Sequence, residues 1–291
     1  MMGGRVSVYV RDVSAGAAAN PAARILDRIE AWASRLTRFE GTSELMRLNS
    51  AGAESVRVGP TLTAVLDWAR ELEGRTDGRI DVAMLDARLA LETGRPIGPP
   101  PSAARRWSLS RSSRGATVER PPGLRFDLDG VAKGWLADRA LAFATGRSAL
   151  IDADGDIAAR VVSGDAWTVG VTDPRGHPDG LLAVVRLAAT GSRGTIGLAT
   201  SGTSVHRWTS AAGDSHHVID PATWQSVPTD VIQATVLADS ARLAEGFAKV
   251  AVIAGANDAF EQTSRPGIHG LLVLTSSGEV RASDGMVRWL A

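Results

Sequence analysis

No cysteine occurs anywhere in the 291 residues. That absence excludes disulfides, zinc–thiolate sites, iron–sulfur clusters and a cysteine nucleophile, and it suits a reducing compartment. Net charge is missing too: 32 basic side chains balance 32 acidic ones. A dominant electrostatic partner, whether duplex nucleic acid or an anionic membrane, is therefore not expected, although zero net charge is compatible with a local basic pocket. No apolar run approaches the ~20 residues that a spanning helix requires, so membrane insertion is not expected. The stretch Met1 to Val10 runs directly into strand-like alternation, without the basic segment and apolar core of a secretory leader. The expectation is a cytoplasmic protein; an exported one without its leader would read the same. Internal repeats and low-complexity tails are also lacking.

What is present is globular: 44% of residues are hydrophobic and 22% charged. The length suits one large domain, and no long linker divides it, so a single domain over 1–291 is expected. Val6, Val8 and Val10 alternate with polar residues and predict a strand. Asn20-Pro21 predicts a helix start, with Ile25, Ile29, Trp32 and Leu36 on its inner face. A second helix is predicted after Pro60, with Leu62, Val65, Leu66 and Ala69 inward, and a loop over Gly94 to Pro101.

Arg105–Leu109, Ala116–Arg120 and Leu124–Leu128 read as a strand meander, followed by a helix from Asp129 to about Thr145 that ends at Gly146. Strands are then predicted over Ala149–Ala153, Ile157–Val162, Trp167–Val171, Leu181–Leu187, Ile196–Thr200, His217–Asp220 and Val231–Leu237. A helix over Ser240–Ala254, a shorter one near Asp258, and strands at Ile268–Leu274 and Val280–Ala282 complete the reading. Strands interleaved with a few long helices predict an α+β fold with a mostly antiparallel sheet.

Five cassettes carry candidate chemistry. Asp127-Leu128-Asp129-Gly130-Val131-Ala132-Lys133-Gly134-Trp135-Leu136-Ala137-Asp138 reads as a strand entering a helix. The outward N–H groups and positive end of such a helix suit an anion, and the glycines permit close approach. The plainer reading is an Asp129 cap with Lys133 in solvent. Asp152-Ala153-Asp154-Gly155-Asp156 reads as a tight acidic turn; it lacks the twelfth-position glutamate of an EF-hand loop. Ala199-Thr200-Ser201-Gly202 ends a strand with two hydroxyls and a glycine and does not match a nucleophile elbow.

In His216-His217-Val218-Ile219-Asp220-Pro221 the histidines alternate faces, which disfavours a shared zinc; one of them suits a general base, and the other need be only structural. Glu245 and Lys249 are four apart on a helix. An exposed pair of this kind is worth about 0.2–0.5 kcal/mol; the alternative is that both project into an anion site.

In this order the cassettes resemble the ApbE family, the FAD:protein FMN transferases, from Met2 to about Ala282. Met2-Gly3 resembles the family's opening pair, and Ser43 to Asn49 its "SELSRLN" segment. Thr76 to Asp81 resembles "T-x-G-x-F-D", Asp127 to Asp138 "DLGGIAKGYAVD", and Ile151 to Ile157 "NLGGDI". Ala199 to Gly202 spells "ATSG", and His217 to Pro221 aligns with "HIIDP".

The resemblance implies an ApbE-like (T-fold-like) domain. It implies FAD as substrate, Mg²⁺ as cofactor, and a partner protein whose threonine or serine hydroxyl accepts FMN as AMP leaves. It implies His217 and Lys133 as catalytic groups. The implied cofactor-binding residues are Met2, Asp81, Asp129, Gly130, Lys133, Asp138, Ser201, Gly202, His217 and Asp220, and the implied metal site is Ala132, Glu245 and Lys249.

Departures from the family pattern leave two further readings open. The family's metal site uses an aspartate and a threonine four apart, where this chain has Glu245 and Lys249. An ammonium has no lone pair for a metal. Either Lys249 replaces the ion, its charge lying on the pyrophosphate, or the site is degenerate. Asp129 and Asp154 replace glycines and bring negative charge toward the phosphates. The alternative function is a relative that binds FAD, or hydrolyses it to FMN and AMP, without transfer; a non-catalytic interaction protein is the third.

Overall fold

A computed structural model describes residues 4–11, 21–95, 97–98, 106–112, 115–162, 166–176, 180–188, 194–210 and 213–291. In chain order its elements are β1 (Val6–Val10), α1 (Pro21–Leu36), α2 (Glu44–Ser50), β2 (Ser55–Val58), α3 (Pro60–Arg75), α4 (Leu85–Thr93), β3 (Ser108–Ser112) and β4 (Gly115–Glu119). There follow α5 (Ala132–Leu141), β5 (Ala149–Ala153), β6 (Asp156–Arg160), β7 (Ala166–Thr172), β8 (Leu181–Ala188), β9 (Thr195–Gly202), β10 (Arg207–Ser210) and β11 (Gly213–His216). The last are β12 (Val231–Ala238), α6 (Ala241–Thr263), β13 (Ile268–Thr275), β14 (Val280–Ala282) and α7 (Asp284–Val287). The chain divides into two compact units: Ala31–Ala132 with Val205–Val227, and Gly4–Glu30 with Lys133–Ser204 and Pro228–Ala291.

The second unit is built on a seven-stranded sheet in the order β1-β5-β6-β9-β12-β13-β14. Every pairing in it is antiparallel. One face packs Leu150, Ile157, Ile196, Leu198, Leu237 and Leu272 against Val171, Val185 and Leu187 of the β7–β8 hairpin. α6 covers the other face along β9 and β12. With both faces covered, β12 reads as a nearly continuous apolar run and is buried at all but one position.

α6 is buried almost all round, with Ala244, Glu245, Phe247, Ala248, Val250 and Ala251 inside. It breaks at Gly255, whose φ of 77° only glycine adopts without strain. Asp230 then accepts a bond from the Ala256 N–H at 2.8 Å and restarts the helix. The expected pair of helices, one to Ala254 and one near Asp258, is this kinked rod.

In the first unit β2, β4 and β3 form a small antiparallel sheet, and β10 pairs with β11. α3 buries Leu62, Val65, Leu66 and Ala69 as expected, and starts at Pro60 itself. α1 buries Ile25, Ile29 and Leu36, with Trp32 half-buried. Its expected cap, Asn20, lies outside the described residues, as does half of the Gly94–Pro101 loop.

Several expectations fail for physical reasons. Leu124–Leu128 is not a strand. Its backbone bonds go elsewhere: the Asn49 carboxamide bridges both backbone groups of Phe126 at 2.7 and 2.9 Å, and the Asp127 N–H donates to the Val82 carbonyl at 2.8 Å. The third strand of the meander is β2 instead, and β3 lies three residues later than the strand expected from Arg105. α5 stops at Leu141, not Thr145, because Phe143 and Ala144 donate back to Ala140 and Leu141 in tightened i→i+3 turns. His217–Asp220 is not a strand: β11 ends at His216, and only Ile219 bridges, to Ser226. α2, α7 and the β10–β11 hairpin were not anticipated. No described helix is long and apolar enough to cross a membrane.

Candidate functional site

The second unit gathers charged side chains around the first turn of α5 and the first half of α6. Lys133 opens α5, and its Nζ lies 3.2 Å from Asp156 and 3.7 Å from Asp154. Asp156 is 2% exposed and begins β6. Its charge is the main influence holding the Lys133 ammonium above its ordinary range, against the opposing cost of burial. Asp154 is held in the left-handed region, φ 60°, at the acidic turn where Gly155 N–H also donates to Asp152 at 2.8 Å. It reaches the Arg5 N–H at 3.4 Å. The expected tight turn is therefore present, with the Asp154 and Asp156 carboxylates both turned on Lys133.

Several N–H groups at the two helix N-termini already have partners. Gly134 N–H donates to Glu245 Oε2 at 3.0 Å. Asp138 accepts from the Ala241 and Arg242 N–H groups at 2.9 and 3.0 Å and so caps α6. Burial raises the Asp138 carboxyl to about 6, while these two donors pull it back down. Gly134 is required by close approach: a Cβ there would stand 2.7 Å from the Ala241 backbone.

Glu245 and Lys249 are not an exposed helix pair. The Glu245 side chain is 0% exposed and that of Lys249 17%, with Nζ 3.4 Å from Oε1. Burial pushes the Glu245 carboxyl upward, against the attraction of Lys249. On β9, Ser201 is buried and its hydroxyl finds no hydrogen-bond partner among the described residues. A Cβ on Gly202 would meet the Ile232 carbonyl at 2.5 Å.

In the first unit Asp81 accepts from Ala83 N–H at 2.8 Å. Asp129 does not cap α5: Val131 and Ala132 donate to the Leu128 carbonyl, and the helix begins at Ala132. The Asp129 carboxylate instead lies 3.7 Å from Arg88. Gly130 lies in the turn before α5. Buried Arg88 also bonds Glu92 at 2.8 Å and stacks on Trp208 at 4.9 Å. It was not anticipated, since a lone arginine on α4 leaves no local signal.

Burial, then the Asp129 charge, raises the Asp127 carboxyl to about 6. A raised carboxyl pKa means that the folded state holds its proton more tightly. The stability it contributes is full below the unfolded value, about 4, and is lost as pH rises through about 6. Asp127→Asn is expected to remove that slope and to stabilise the protein by roughly 1–2 kcal/mol at pH 7. Thermal melts of both proteins from pH 4 to 8 check this; parallel curves would contradict it.

The two histidines separate by their partners. His216 accepts from the Val218 N–H at 3.3 Å and meets the Val227 carbonyl at 3.1 Å, and burial lowers its pKa, so it is a neutral structural ring. His217 Nδ1 lies 3.2 Å from the Val205 carbonyl. A carbonyl only accepts, so Nδ1 carries the proton and Nε2 is the basic nitrogen of the neutral ring. The His206 ring stands edge-on to His217 at 5.3 Å. Asp220 accepts from Ala222 N–H at 2.8 Å. Met2 lies outside the described residues.

A divalent cation does not suit these residues. Mg²⁺ demands about six oxygens at about 2.1 Å. Both Glu245 oxygens are engaged, one by an N–H and one by an ammonium. Among the described residues no cluster of three or more His, Asp or Glu side chains is disposed to hold a metal.

The description "ApbE family" belongs to a family model that matches residues 2–272. A FAD:protein FMN transferase of Rhodobacter capsulatus is 28% identical over 265 residues, which cover 84% of this chain and 48% of that protein. The chain thus spans about half the length of that relative. A protein of the same description from Treponema pallidum is 28% identical, over 84% of this chain and 74% of its own. The crystal structure of the ApbE protein of Thermotoga maritima superposes with a TM-score of 0.80 at 21% identity, covering 100% of this chain and 97% of that one. At that identity the likeness speaks for the fold.

Proposed function

The chain belongs to the ApbE family, and on that premise we propose that it transfers FMN from FAD to a threonine or serine hydroxyl of a partner protein. The observation that carries this reading is the family match over residues 2–272, which spans all the cassettes. The hydroxyl oxygen attacks the phosphorus on the FMN side of the pyrophosphate. The bond from that phosphorus to the bridging oxygen breaks, and its electron pair leaves with AMP. The hydroxyl proton passes to His217 Nε2. The product is a phosphoester between FMN and the acceptor.

Phosphoryl-type transfer needs little more than positioning and charge neutralisation. Lys133, fixed by Asp156, supplies a preset cation for the pyrophosphate. Ser201, with its buried hydroxyl lacking a partner among the described residues, offers a hydrogen bond to the flavin or its phosphate. Gly130, Gly202, Asp81, Asp129 and Asp220 complete the proposed FAD contacts, while Asp138 acts by anchoring α6. The second reading is FAD hydrolysis to FMN and AMP without transfer; in either reading the Asp154 carboxylate competes with phosphate for Lys133 and weakens the hold on FAD.

One assay separates these readings. The protein is incubated with FAD and a carrier displaying Thr- and Ser-containing peptides; covalent flavin is read by in-gel fluorescence and AMP by chromatography. Covalent flavin with equal AMP supports transfer. AMP with equal free FMN and no covalent flavin makes the protein a hydrolase. Neither product would reject both.

A further inference from the structure

The pair that departs most from its family lies inside the second unit, where the donor set excludes a divalent ion. Glu245 is fully buried, and the charges of two ammonium groups act on its carboxylate. Lys249 Nζ is 3.4 Å from Oε1, and the Lys133 charge also acts on it. Oε2 is committed to the Gly134 N–H at 3.0 Å. A cation about 2.1 Å from Oε1 would face the Lys249 ammonium across a few ångströms, where burial of Glu245 weakens the screening of the repulsion. Lys249 cannot swing away cheaply, since its departure would leave a buried carboxylate without its nearest counter-charge.

We propose that the Lys249 ammonium permanently fills the position of a divalent cation, so that this chain handles its pyrophosphate substrate without a metal. The proposal rests on the transferase reading for the identity of the substrate, but not for the cation site itself. An ammonium brings one positive charge and three donors in place of two charges and open coordination positions. Lys133, whose charge also acts on Glu245, adds a second ammonium to the same charged cluster, which Asp156 and Asp154 share.

The test uses Mn²⁺ alone, titrated into the full-length protein and followed by electron paramagnetic resonance. Wild type is expected to leave Mn²⁺ free up to millimolar concentration. Lys249→Thr, which removes the ammonium and adds an oxygen beside Glu245, is expected to bind one Mn²⁺ at least tenfold more tightly. Lys249→Gln serves if the threonine variant does not fold, since it keeps the chain length and a donor to Glu245 while offering a carbonyl oxygen. Stoichiometric Mn²⁺ binding by wild type overturns the proposal, and so does failure of both folded variants to gain a site.

A second arm follows tryptophan quenching by FAD, using the eight tryptophans, with and without EDTA. Wild-type affinity is expected to be unchanged by EDTA, whereas that of the variant falls at least tenfold; a tenfold fall in wild type overturns the proposal. Absence of FAD binding under both conditions removes the transferase reading, and the Mn²⁺ arm still decides the cation site.

Discussion

Replacing His217 with alanine is expected to lower the rate of covalent flavin transfer by about 10²–10⁴-fold, the usual contribution of a positioned general base. FAD affinity and melting temperature should change little, because the ring is only half-buried and its Nδ1 bonds a loop carbonyl, that of Val205. That bond fixes the tautomer and makes Nε2 the basic nitrogen, the one proposed to receive the hydroxyl proton. Added imidazole should recover part of the lost rate, which a merely structural histidine would not allow.

His216→Ala supplies the contrast. Its ring joins the Val218 N–H and the Val227 carbonyl, so its loss should cost about 1–2 kcal/mol of stability and leave turnover of the folded protein nearly intact. Single-turnover rates of the two variants, with melts alongside, check both. Full activity in His217→Ala would remove it from the mechanism.

That division between neighbours was only half visible in the sequence. Two histidines in a row announce that one is available for chemistry; which one depends on β11 ending at His216 and on the Val227 carbonyl, and neither is encoded locally. The same limit explains the other failures. β1, β5 and β14 were legible because their backbone partners are other strands. Leu124–Leu128 has the same apolar pattern, yet its hydrogen bonds run to the Asn49 side chain and to Val82. Only the tertiary fold reveals such partners.

Glu245 and Lys249 looked like a solvated helix pair or a site, and the sequence alone left the choice open. Burial of most of the first half of α6, Glu245 included, decides for the interior. That burial was foreshadowed by Phe247-Ala248, Val250-Ala251-Val252 and Ile253 surrounding the pair. Asp156 stood in view as one of three turn aspartates, but nothing nearby distinguished the buried one that fixes Lys133 from its exposed neighbour Asp154.

Lys133→Met is expected to do double damage, and a second substitution separates the two parts. Removing the ammonium strands Asp156, whose side chain is 3% exposed. An uncompensated charge at such depth costs roughly 2–4 kcal/mol, toward the lower end of the buried-pair range because Lys133 itself is partly exposed. FAD binding should disappear with it, since the preset cation for the pyrophosphate is gone. In Lys133→Met with Asp156→Asn both charges leave together, so most of the lost stability should return, because a neutral, well-packed pair of similar size is tolerated where a half-broken ion pair is not.

Affinity for FAD should not return, because no cation faces the phosphates. Chemical denaturation of the single and double variants measures the first effect, and tryptophan quenching by FAD the second. If the double variant recovered FAD binding together with stability, Lys133 would be a structural partner of Asp156 and nothing more. If the single variant kept its stability, Asp156 would not depend on Lys133, and the charge arrangement at the start of α5 would have to be rebuilt around Glu245 and Lys249 alone.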